Sequence, residues 1–113
     1  MAAAPPVLDR DHLAAQTFGD AGLAREVLGL FRTQMRRLPP IVRAGEGAQA
    51  RMDAAHTLKG SARGVGAALV AACAEACEAD IRAGRAPDAT LEALARAIDE
   101  TDAAIDGYLR ESA

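Results

Sequence analysis

The feature that most constrains this chain is its punctuation by glycine. Breaks fall at Gly19, at Gly45 with Gly47, at Gly64 with Gly66, and at Gly84. The segments between them are too long for ordinary strands and suit helices of several turns. They are rich in Ala and Leu, the strongest helix formers, while aromatics make up only 3% of the chain and Trp is absent. Half of the 113 residues are hydrophobic. That suffices for a single core in one domain, built from Leu, Ile, Val, Met and Ala.

Each segment carries an apolar stripe. Asp9 or Asp11 can cap a short first helix running to about Phe18. Asp20 can cap a second, on which Leu23, Val27, Leu30, Phe31, Leu38 and Ile41 share a face. Pro39 and Pro40 interrupt it, yet Ile41 and Val42 continue the stripe, so a kinked helix reaching about Ala44 is expected. A third helix is expected from about Ala48 to Arg63, with Ala48, Met52, Ala55, Leu58 and Ala62 inward. A fourth is expected from about Ala67 to Ala83, with Leu69, Cys73, Ala76 and Cys77 inward. Glu78 and Arg82 read as a solvent pair at helical spacing. Pro87-Asp88 opens the last helix, striped by Leu91, Leu94, Ile98, Ile105 and Leu109. The expected fold is all-α: an antiparallel up-and-down four-helix bundle with a short additional N-terminal helix. Residues 1–7 read as a flexible lead-in and 8–113 as the domain, which should close its own core as a monomer.

Several functions are disfavoured. A net charge of -3 lacks the basic footprint of a nucleic-acid binder. The apolar runs are too short and Ala-rich to span a bilayer. The start, MAAAPP, has no secretory signal pattern, so a cytoplasmic location is expected. Cys73 and Cys77, four apart, suit a shared helix face and not a disulfide; they read as small core residues. With His12 and His56 as the only histidines, no metal set is evident. His12 reads as a surface residue.

The third helix carries the chemistry. At 100° per residue, His56, Lys59, Gly60 and Arg63 cluster on one side, centred about 120° from the apolar stripe. An imidazole is thus offered to solvent beside two cations and a missing side chain. Free imidazole titrates near neutrality and is a good nucleophile in water. Lys59 can offset charge on phosphoryl oxygens, with Arg63 as a second cation. Glycine inside a helix costs about 1 kcal/mol relative to alanine. In a chain this rich in alanine, Gly60 therefore suggests clearance for a partner's approach to the ring. Gly66 reads as a helix-ending turn. Met52, one turn before His56, reads either as core or as part of a small docking patch.

The string AHTLKGSARGVGAALVAACAEACE resembles the histidine-containing phosphotransfer (HPt) family. That family's pattern of His, Lys three later, Gly four later and Gly ten later falls on His56, Lys59, Gly60 and Gly66. Phe31 sits where the family often has an aromatic, and the likeness covers about residues 7 to 110. The resemblance implies a four-helix bundle phosphorylated on the histidine nitrogen farther from the backbone. It implies a phosphorelay between receiver-domain aspartates, with a sensor or hybrid histidine kinase upstream and a response regulator downstream. It implies no nucleotide site or autonomous kinase activity and no cofactor of its own, with Mg²⁺ supplied by the partner receiver.

Two other functions compete. One is a bundle that binds receivers without being phosphorylated, but such a binder has no need of the imidazole. The other is the phosphoacceptor domain cut from a larger sensor or chemotaxis-type kinase, which would present a similar helix. The initiator Met and short lead-in favour a free-standing protein.

Overall fold

A computed structural model describes residues 4–112. Among these it shows five helices: α1 (Arg10–Gln16), α2 (Ala21–Ala44), α3 (Gly47–Val65), α4 (Ala68–Arg82) and α5 (Asp88–Glu111). α2 packs on α3, α3 on α4 and α4 on α5, and α5 returns to α2. The helices thus close on one another as an all-helical bundle. The short α1 packs against α3.

Local chemistry sets most of the ends. The Asp9 carboxylate accepts from His12 N at 3.0 Å and caps α1; Asp20 does the same for Leu23 N and α2. α1 stops at Gln16 and not at Phe18, because Phe18 takes a left-handed backbone (φ 56°) that no helix can continue. α3 is longer than expected at both ends, beginning at Gly47 and running through Gly64 to Val65. α2 runs unbroken through Pro39 and Pro40. Neither proline has an N–H to donate, so the carbonyls four residues earlier lose their helical donors.

The core is aliphatic. Leu13, Leu28, Leu58, Leu94, Ile105, Val42 and Val70 are fully buried. The stripe on α2 is rotated from the expected one. Ala24, Leu28, Phe31, Met35, Leu38 and Val42 are buried, Leu23 and Val27 are half-buried, and Leu30 and Ile41 are exposed. Apolar residues are doubled at 23/24, 27/28, 30/31 and 41/42, and α2 must serve both α3 and α5. The buried arc faces between those two neighbours, which leaves Leu30 and Ile41 on the rim. Arg32 fastens the α5 side, donating to the Asp102 carbonyl at 2.8 Å and to the Asp106 carboxylate at 2.6 Å.

Smaller rotations occur elsewhere. On α3 the inward residues are Ala54, Ala55, Leu58, Ala62 and Val65; Ala48 is exposed and Met52 only half-buried. On α4 they are Val70, Ala71, Ala74, Cys77, Glu78 and Ile81, with Leu69, Cys73 and Ala76 at the margin. On α5, Ala97 and Thr101 are buried, while Ile98 and Leu109 are partly covered. The Thr101 hydroxyl is satisfied by the Ala97 carbonyl at 2.7 Å. Burial raises both thiols above the ordinary cysteine range, so Cys73 and Cys77 remain protonated small packing residues.

The corner between α3 and α4 is held from outside the hairpin. Gly66 ends α3 in the left-handed region (φ 86°). Its carbonyl accepts from Asp9 N at 2.8 Å, and the Pro6 carbonyl accepts from Leu69 N at 3.0 Å. Of the lead-in expected over residues 1–7, residues 1–3 lie outside the described residues, while Pro6 is bound because the first turn of α4 has no side-chain cap and takes a backbone carbonyl instead. A Cβ on Gly66 would stand 2.7 Å from the Asp9 carbonyl oxygen. Gly66→Ala is expected to cost about 2 kcal/mol, combining left-handed strain with that collision. Urea unfolding should show a lower midpoint with an unchanged slope.

Candidate functional site

α3 presents His56 to solvent, with its side chain 67% exposed. The neighbouring inward residues Ala55, Leu58 and Ala62 anchor the opposite side of the helix in the core. The imidazole is not free on both sides. Its Nδ1 lies 3.1 Å from Oε2 of Glu78 on α4. An ionised carboxylate can only accept, so Nδ1 carries the proton and the lone pair is left on Nε2.

Glu78 is the residue that sequence reasoning misplaced. Its pair with Arg82 exists, at 3.0 Å, but it is not a solvent pair, because the glutamate side chain is only 7% exposed. The cause is the packing of α4 on α3, which turns Glu78 inward toward Lys59 and His56. Lys59 Nζ donates to Oε1 at 2.9 Å, while His56 Nδ1 and Arg82 Nη2 both meet Oε2. Burial pushes the Glu78 carboxyl up, but the hydrogen bond and charge of Lys59, followed by those of His56, outweigh it and hold the group below the usual glutamate range. A periodicity reading sees an i, i+4 Glu–Arg pair and assigns it to solvent. A signal was nevertheless present: Glu78 follows directly on the inward Cys77 of an otherwise small-residue helix.

The other expected site residues fall as follows. Lys59 shares the His56 side of α3, but its side chain is 13% exposed and engaged by Glu78. Gly60 is exposed, and a Cβ there would meet nothing within 4 Å. The gap therefore serves no packing need of the bundle itself. Arg63 is exposed and 3.6 Å from Glu75, seven residues on from His56. Met52 packs partly against the core. Gly66 belongs to the corner already described and not to the site. His12, expected at the surface, is half-buried, with Nε2 enclosed and lacking a hydrogen-bond partner. Among the described residues no group of three His, Cys, Asp or Glu is placed to hold a metal ion, and no helix is long and apolar enough to cross a membrane.

The site is thus an exposed imidazole with one nitrogen held by a buried carboxylate, cations around it and open space at Gly60, an arrangement that leaves the Nε2 lone pair available. The family model described as Hpt domain matches residues 23–106, most of the chain, and the protein belongs to that family of histidine phosphotransfer modules of two-component signalling. Such a module is not a kinase. Comparison with curated proteins and with solved structures finds no match.

The Glu78 cluster has a pH signature. A carboxyl held below its ordinary range in the folded state stabilises the fold fully above its unfolded pKa. That contribution is lost as pH falls through the lowered value. Glu78→Gln should lower stability near neutrality by about 2 kcal/mol, because it leaves Lys59 without its counter-ion. The melting-temperature gap between wild type and variant should narrow as the pH is taken below about 4.

Proposed function

We propose that His56 is the phosphoacceptor of a phosphorelay and exchanges a phosphoryl group with receiver-domain aspartates. The observation that carries this reading is the pairing of an exposed ring with a buried Glu78 that holds its Nδ1 proton. Nε2 attacks the phosphorus of an aspartyl phosphate in line. The N–P bond forms as the acyl P–O bond breaks, and the aspartate carboxylate leaves with the electron pair. No proton need leave the ring. Nδ1–H stays on Glu78, which offsets the positive charge that develops on the imidazole. The reverse sequence delivers the group to a second receiver. Mg²⁺ in the partner's acidic pocket would supply charge stabilisation on the receiver's side of the transfer.

The surface around the ring suits such a partner. Gly60 leaves the approach clear, and Leu30, 66% exposed, lies beside a shallow groove shared with Val27 and Ser61. An isolated exposed leucine is ordinary, but one sharing a groove with Ser61, the residue after Gly60, offers a receiver an apolar contact. Met52 extends this docking patch on the other side of His56. In this reading the module works as a cytoplasmic monomer between a sensor or hybrid kinase and a response regulator.

Two outcomes test the proposal. Incubation with a phosphorylated receiver should place acid-labile label on the chain, absent in His56→Gln and retained in His12→Gln. Tight receiver binding without label would instead mark a sequestering module. Gly60→Leu should leave the helix folded, since the site is open, yet slow transfer by about tenfold or more by obstructing the approach. Stopped-flow measurement of receiver dephosphorylation reads that rate.

A further inference from the structure

Glu78 carries one negative charge and is met by two fixed cations and the His56 ring. Lys59 holds Oε1 alone, at 2.9 Å, and its side chain is 13% exposed. Arg82 shares Oε2 with His56, at 3.0 and 3.1 Å, and its side chain is 64% exposed. One cation suffices to neutralise the carboxylate, so the cluster holds a surplus positive charge. The surplus belongs to the cation that is easier to release, and that is the arginine. Two hydrogen bonds through a single oxygen separate its guanidinium from the imidazole. Arg63, on the α3 face, is instead associated with Glu75.

We propose that Arg82 is the residue that binds the phosphoryl group once it is on His56, turning from Glu78 Oε2 to the phosphoryl oxygens while Lys59 stays behind as the carboxylate's counter-ion. This rests on His56 being the phosphoacceptor. A phosphoryl group on Nε2 presents oxygens with close to two negative charges, and a planar guanidinium can engage two of them at once. On Glu78 the arginine makes one bond, to an oxygen already used by the ring. The exchange gives Arg82 a stronger acceptor and leaves the Nδ1–H bond sole possession of Oε2. The arginine head is already in solvent, so its release from Glu78 disturbs no packing. The two cations flanking the ring thus divide the work: Lys59, part of the helical motif, keeps the glutamate charged, and Arg82, from the neighbouring helix, meets the phosphate.

The test phosphorylates the full chain with phosphoramidate, a small donor that needs no docking surface, and follows phosphohistidine by phosphorus NMR across pH. In Arg82→Ala the midpoint of the phosphoryl titration should rise by about 0.5 in pH, since a nearby cation no longer favours the dianion. Arg82→Lys should recover part of that change, as a merely structural role would not. An Arg82→Ala titration that overlays the wild type overturns the proposal. So does a rise found in Lys59→Ala and absent in Arg82→Ala. Wild type that takes no phosphoryl group on His56 defeats the phosphoacceptor reading itself, an outcome distinct from either of these.

Discussion

A carboxylate taken out of water is the constraint around which this site is organised. Left alone, a buried Glu78 would protonate or destabilise the bundle. It stays ionised because Lys59, Arg82 and the His56 ring each donate a hydrogen bond to it. The obligation runs in both directions. Because the carboxylate must be satisfied, the imidazole is held in one orientation and one tautomer, and its other nitrogen is turned out. The reactivity of the ring is therefore set from beneath, by the packing of α4 on α3.

This arrangement explains why the core is made of small residues there. Ala55, Ala62, Ala71 and Ala74 are all buried. Small side chains let α3 and α4 approach closely enough for a glutamate to reach two residues on the facing helix. Larger aliphatics at these positions would fill the same volume while separating the carboxylate from its donors. The alanine content that marks the chain as helical also sets the distance on which the site depends.

Much of this was legible in the residues alone. Glycine breaks located the helices, and helical spacing placed His56, Lys59 and Gly60 together on one side of α3. What escaped was the rotation of each helix about its axis. On α2, doubled apolar positions such as Leu30 and Phe31 are equivalent to a periodicity argument, and only the presence of two packing neighbours decides between them. On α4 the same uncertainty of one position carried Glu78 from the interior to solvent. That was the costlier error, because a buried acid has a partner that local spacing cannot reveal: its donors lie 22 and 19 residues earlier in the chain. Lys59 could be placed on the correct face, but its engagement by a residue on another helix could not be foreseen.

The N-terminal strap gives the site a dependence on residues remote from it in sequence. Asp9 and Pro6 clamp the corner where α3 turns into α4, and both lie outside the stretch matched by the family model, 23–106. Sliding of α4 along α3 by a single turn would carry Glu78 past both its lysine and its imidazole. The strap opposes that slippage at the end of the hairpin, so boundaries drawn by family likeness alone would retain His56, Lys59, Glu78 and Arg82 and discard the fastening that keeps them in register.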